Sequence, residues 1–188
     1  QGFDSVLCSV DFDDYAKKRD EEIAKIIPMQ TFFDSFITHP NDCLKADKTP
    51  YKVFTPYYNN LKFIWNSYRL EEFETNKNLK LIPFDFDSIP TLENMGFIKQ
   101  TLPDFLQKNP DELLKDFEQK IDNYKIDRDF FDKNATSNLA VHLRFGLISP
   151  RQVFNKIKEL KARTENKEFF IRELFWREFY NYILFHFP

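Results

Sequence analysis

Glycine is nearly absent from this chain. Its 188 residues contain three, Gly2, Gly96 and Gly146, so neither a G-x-G-x-x-G turn nor a P-loop can be written anywhere in it. A nucleotide bound here must be held by side chains and helix ends instead. Cysteine is almost as scarce: Cys8 and Cys43 are too few and too unpatterned for a disulfide framework or a zinc site, and a reducing, cytoplasmic setting is expected. His39, His142 and His186 share no spacing suited to a metal ion or a catalytic triad, so structural roles and no metal are expected. No window of roughly 18 apolar residues is free of charge, and a membrane span is not expected. No cleavable signal peptide is visible.

What the chain does have is ring. Aromatic residues make up 18% of it, with 23 Phe, and hydrophobic residues 42%, enough for a real core. The net charge of −3 hides an asymmetry: residues 120–188 hold 13 Lys and Arg against 9 Asp and Glu, while the rest holds 14 against 21. A partner carrying phosphates would meet the C-terminal half.

Val6–Val10 reads as a short buried strand and Asp13–Ile27 as a helix with Ile23, Ile26 and Ile27 on its apolar side. That order suits the last part of an α/β layer. Asp47–Pro50 is a turn and Tyr51–Phe54 an extended piece. Thr55 at the N-cap and Pro56 at the first helical position then open a helix with Tyr57, Leu61, Ile64, Trp65 and Tyr68 on one face. Residues 71–100, including I-P-F-D-F-D-S-I-P, lack periodicity and read as a long connector. Two capping boxes follow, Asn109 to Glu112 and Ser149 to Gln152. The first opens a helix with Leu113, Leu114, Phe117, Ile121 and Tyr124 inward; the second opens one that buries Val153, Phe154, Ile157 and Leu160 and turns Lys156, Lys158 and Lys161 to water.

The last helix, Glu168–His186, is too apolar for a surface yet carries charge. At about 100° per residue, Phe170, Glu173, Trp176, Arg177 and Tyr180 share one stripe, with Leu174, Phe175, Ile183 and Leu184 around the rest. A buried helix seldom shows an acid, a base and an indole on one face without a ligand or partner there.

Five ordered blocks carry a family resemblance: T-P-Y-K-V-F-T-P-Y-Y at 49–58, Y-K-I-D-R at 124–128, T-S-N-L-A at 136–140, R-F-G-L-I-S-P-R-Q at 144–152 and E-L-F-W-R-E-F-Y at 173–180. Together they resemble DNA photolyases and cryptochromes, most of all a bacterial cyclobutane pyrimidine dimer photolyase. The resemblance implies an α/β plus all-α architecture: 1–54 as the tail of a Rossmann-like α/β domain, 55–100 as an interdomain helix and connector, and 101–188 as the first half of a helical FAD-binding domain. It implies FAD as cofactor, held by Tyr124, Thr136, Ser137, Asn138, Leu139, Ala140, Phe170 and Arg177. It implies contacts to ultraviolet-damaged DNA from Arg128, Glu173, Trp176, Arg177 and Tyr180, with Glu173 and Trp176 lining the pocket for a flipped-out dimer. A monomer is expected, and no antenna pigment is supported.

Three positions depart from the family pattern. Asn138 stands where an arginine is usual, Ala140 where a hydroxyl is usual, and Phe170 where a tryptophan is usual. The bland alternatives are a Ser/Thr helix cap at 136–137, an ion pair of Arg128 with Asp127 or Asp132, and an i,i+4 pair between Glu173 and Arg177. Both ends read as cuts within a longer protein, so the isolated chain is expected to bind flavin weakly or not at all. A cryptochrome-type photoreceptor, repair of the (6-4) lesion and an inactive fragment are the rival readings.

Overall fold

The structure, a computed structural model, describes residues 4–66, 70–73, 78 and 90–188, the side chains of residues 65 and 66 excepted. The side chain of Trp65, Tyr68, and 82–89 of the I-P-F-D-F-D-S-I-P stretch therefore lie outside the described residues. The described part of 71–100 holds a turn at 92–96 and neither helix nor strand.

Strand β1 (Val6–Ser9) pairs in parallel with β2 (Met29–Phe32), in a register that sets Val6 opposite Met29 and Ser9 opposite Phe32. Helix α1 (Asp14–Ala24) crosses between them, its first turn capped by the Asp13 carboxylate, which accepts from the Ala16 N–H at 2.8 Å. The expected helix to Ile27 stops three residues earlier. Chain past Ile27 is needed for β2, a strand that Pro28 hides from pattern reading. Ile26, expected on an apolar face, is 86% exposed, and Ala16 is the buried residue of α1.

Helix α2 (Phe54–Asn66) begins one residue before Thr55, which stands inside its first turn rather than at the cap; Tyr57, Leu61 and Ile64 are buried as their spacing predicts. After α3 (Asp104–Gln107) comes α4 (Pro110–Glu118), whose Asn109 and Glu112 exchange hydrogen bonds of 2.9 and 3.0 Å in a full capping box. The helix then breaks into a 3-10 turn (Ile121–Asn123) and the short α5 (Tyr124–Asp127). Tyr124 thus opens a new helix instead of closing the old one, although it and Ile121 remain buried. Helix α6 (Ala140–Arg144) leads to α7 (Pro150–Glu159), where Ser149 and Gln152 form the second capping box at 3.0 and 3.1 Å.

Helix α8 (Thr164–His186) runs through the middle of the core and starts four residues before its expected N-terminus. It packs on α2, α5 and α7, and its Ile171 and Phe175 are fully buried in one cluster with Phe117, Val153, Phe154 and Ile157. The polar residues on this buried helix find partners in backbone. Glu178, Tyr182 and His186, four residues apart and so on one face, reach the segment before α2. Glu178 accepts from the Ile37 N–H at 2.8 Å, Tyr182 donates to the Cys43 carbonyl at 2.9 Å and accepts from the Tyr51 N–H at 2.8 Å, and His186 Nε2 lies 3.3 Å from the Pro40 carbonyl. Loop backbone buried without strand or helix partners needs such side chains.

Candidate functional site

A second row of α8, Glu173, Arg177 and Asn181, faces a cavity of about 560 Å³, with Phe170 and Leu174 beside it. Tyr124 of α5 lines it too. So do Thr136, Ser137 and Leu139 from the turn before α6, and Ala140, Leu143 and Arg144 from α6 itself. Val10, Asp11, Ser35 and Phe36 complete the lining from the N-terminal part of the chain. Eight of the residues that the sequence picks out meet here: Tyr124, Thr136, Ser137, Leu139, Ala140, Phe170, Glu173 and Arg177.

The walls are more apolar than polar, with Asp11, Arg144, Glu173 and Arg177 as the charged groups, and the volume falls in the roughly 300–1,000 Å³ range of small-molecule sites. Tyr124 is buried between Phe117 and Phe170, each 5.4 Å away between ring centres and edge-on. Burial pushes its hydroxyl up to about 12, so it stays a neutral donor. The turn at 136–139 is tight. Asn138 takes a φ of +57°, a conformation Asn tolerates better than most residues, and the Ser137 hydroxyl accepts from the Leu139 N–H at 3.4 Å. Asn138 itself does not line this cavity; it lines a neighbouring one of about 480 Å³ with Lys108, Lys120 and Asn134. Thr136 and Ser137 line both.

The charged residues pair differently from either expectation. Arg128 donates to Glu173 at 2.5 Å and lies 3.5 Å from Asp129, whereas Asp127 is taken by Lys133 at 2.5 Å. The Glu173 contact raises the Arg128 pKa further, and the guanidinium sits 5.5 Å from the Tyr124 ring centre. Arg177 does not pair with Glu173. It donates to the Ser35 carbonyl at 2.8 Å and to Glu178 at 3.3 Å, and lies 5.6 Å from the Phe36 ring centre.

Trp176 is not among the cavity residues. Its ring stacks on Phe54 at 3.6 Å and 11°, with Tyr180 stacked on it at 5.8 Å. Tyr180 is exposed. Residues 173 and 176 are three apart, which turns their side chains about 60° from each other on the helix. The predicted stripe is wide enough for its two edges to meet different neighbours: Phe170, Glu173 and Arg177 the cavity, Trp176 the buried Phe54 ring of α2 with Tyr180 stacked on the indole.

Pattern reading missed Asn181, Leu143, Leu174 and Arg144, which helical spacing from the predicted residues could have found. It also missed Ser35 and Phe36, for which no local signal exists. Glu178 escaped notice because a buried acid reads like any other Glu in a sequence. Its side chain is 2% exposed, and burial pushes its carboxyl up to about 7 against the opposing pull of the Ile37 N–H and Arg177. Among the described residues no group of three His, Cys, Asp or Glu could hold a metal ion, and no helix is long and apolar enough to cross a membrane.

No family model matches the chain. The deoxyribodipyrimidine photo-lyase of Alkalihalophilus pseudofirmus is 31% identical to it over 86% of the chain and 35% of the relative. A bacterial class III photolyase from Agrobacterium tumefaciens superposes on 98% of the chain and 41% of that structure, with a TM-score of 0.78 and 26% identity. The cryptochrome of Synechocystis sp. PCC6803, at 16% identity, shares the fold over 98% of the chain and 42% of its own, with a TM-score of 0.74. The chain thus spans about a third of the length of relatives such as the first. Sequence blocks, helix-rich fold and relatives agree: the chain belongs to the photolyase/cryptochrome family.

Proposed function

We propose that this chain supplies part of the flavin pocket and lesion-binding face of an enzyme that uses light to repair cyclobutane pyrimidine dimers in DNA. On this reading 1–54 belong to the end of its α/β domain, 55–100 to the interdomain helix and connector, and 101–188 to the first half of its helical FAD-binding domain. The observation that carries this reading is the 560 Å³ cavity in which Tyr124, Thr136, Ser137, Leu139, Ala140, Phe170, Glu173 and Arg177 come together.

The residues present fit FAD. Thr136 and Ser137 carry hydroxyl donors for a pyrophosphate, and the second cavity that shares them gives a long ligand further room, with Lys120 on its wall and Lys108 there paired with Asp116. Tyr124, Phe170, Leu139 and Phe36 supply apolar wall for a ring system. When bound, reduced FAD supplies the photoexcited electron that opens the cyclobutane ring. The protein binds, orients and excludes water. Glu173 is an acceptor for a thymine edge, but its carboxylate is engaged by Arg128; a DNA phosphate that draws Arg128 away frees it. Tyr180, exposed and stacked on Trp176, offers a ring on which an extruded base can stack.

Illumination of the whole enzyme to which this chain contributes, loaded with FAD and mixed with a dimer-containing oligonucleotide, tests this reading. Repair that needs light and flavin and falls at least tenfold in Glu173→Ala is expected; no repair, or repair indifferent to flavin, refutes it. A signalling photoreceptor is the second reading, favoured by the separation of Trp176 from the cavity. Equal affinity for dimer-containing and undamaged oligonucleotides would select it.

A further inference from the structure

Glu178 does not touch the cavity, yet it holds the residues that do. Four successive residues give their peptide groups to charged side chains. Arg177 donates to the Ser35 carbonyl at 2.8 Å, and Arg151 of α7 donates to the Phe36 carbonyl at 3.1 Å. The Ile37 N–H donates to Glu178 at 2.8 Å, and the Thr38 N–H also favours its charged form. Ser35 and Phe36 line the cavity, and so does Arg177, which Glu178 engages at 3.3 Å. The ionisable groups facing Glu178 are Arg177 on its own helix, Arg151 on α7 and Tyr57 on α2.

A carboxylate this deeply buried is costly, and a chain needing only to fill the space would do better with an uncharged group. Glutamine has the same shape but one acceptor oxygen. Its NH₂ would face another donor, either a peptide N–H or the Arg177 guanidinium. The site as built asks for two acceptor oxygens. We propose that Glu178 is a positioning residue for the cofactor cavity: its carboxylate clamps the Ser35–Phe36 wall and fixes the Arg177 guanidinium at the cavity edge. This inference rests on the flavin reading for its consequence, though not for the clamp itself.

The test compares wild type, Glu178→Gln and Arg151→Gln, each made in the whole enzyme to which this chain contributes, by residue-resolved amide hydrogen exchange and by titration with FAD, both at pH 8. In Glu178→Gln, the Ile37 and Thr38 amides should exchange about tenfold faster, the effect of weakening a charge-assisted hydrogen bond, while the Phe117 amide stays as protected as in wild type. The FAD dissociation constant should rise by about tenfold. Arg151→Gln, which loosens the hold on the Phe36 carbonyl while leaving the Glu178 carboxylate itself in place, should also weaken FAD binding. Unchanged exchange at Ile37 and Thr38 would overturn the clamp, and acceleration spread evenly over the chain would reduce it to a general contribution to stability. Wild-type FAD affinity in both variants would overturn the positioning role. Should wild type bind no FAD, the flavin reading falls and the exchange data alone decide the clamp.

Discussion

Stability should depend on pH through Glu178 in a direction opposite to that of most carboxylates. Its carboxyl rises from an ordinary 4.5 to about 7 in the folded chain because burial penalises the charged form more than Arg177 and the Ile37 and Thr38 N–H groups favour it. Between these values the folded state binds more protons than the unfolded one, so folding stability falls as pH rises. The contribution is complete below about pH 4.5 and lost on passing pH 7. At about 1.4 kcal/mol per pKa unit, the span amounts to about 3 kcal/mol, which for a chain of this size moves the melting temperature by roughly 6–12 °C. Other carboxylates titrate over the same range, and Glu178→Gln removes this one alone. Urea unfolding of both proteins at steps from pH 4 to pH 8.5 isolates it: variant stability minus wild-type stability should climb by about 3 kcal/mol across the range. The offset at any single pH is uninformative, because Gln also alters the hydrogen bonds at 37 and 38. A flat difference, or one that falls, would show that the Arg177 and Arg151 charges outweigh burial and hold Glu178 ionised throughout.

Phe154→Ala removes a fully buried ring from the cluster around α8 and should cost about 3–5 kcal/mol in urea unfolding; a loss under 1 kcal/mol would mean that the core is looser than its burial implies. Ser149→Ala deletes half of a capping box and should cost about 1 kcal/mol in the same assay. The Arg128–Glu173 pair is about one-third exposed, so a double-mutant cycle on stability should return at most about 1 kcal/mol of coupling. Glu173→Gln releases Arg128 for phosphate. Affinity for undamaged duplex should therefore rise and its salt dependence steepen by about 0.9 in log–log slope, one added phosphate contact; an unchanged slope would remove Arg128 from the DNA interface.

What could be read from the sequence was local. Both capping boxes form because their partners are three residues apart, and the apolar faces of α2, α4 and α7 follow from spacing that one helix enforces on itself. Helical spacing also brought Phe170, Glu173 and Arg177 to one cavity. It failed for Trp176 for the same reason that it worked elsewhere. Spacing fixes the angle between two side chains about the helix axis but not what lies opposite each, and Phe54, 122 positions upstream by numbering, decides where the indole rests. Strand β2 was hidden because four residues after a proline carry too little alternation to be separated from a helix end. The Ser35–Thr38 wall was beyond reach, since its hydrogen bonds join residues 115 to 142 apart.

These distant bonds also answer why a helix as buried as α8 carries acid, base and hydroxyl. Two of its rows do different work. Glu178, Tyr182 and His186 satisfy loop backbone that would otherwise be buried without partners, while Glu173, Arg177 and Asn181 are turned to the cavity. The two rows run side by side, Arg177 next to Glu178 and Asn181 next to Tyr182, but only the first pair bonds one stretch of loop from both rows, the Ser35–Thr38 segment. There the packing of the N-terminal part of the chain and the shape of the cavity become one physical problem. A change that loosens the loop row at Glu178 must alter the cavity wall, whereas one at His186, two turns further along and bonded to Pro40 rather than to a lining residue, should loosen the loop and leave the wall in place. The polar residues of α8 are therefore not equivalent. Their relevance to the site falls with distance from that single point of contact.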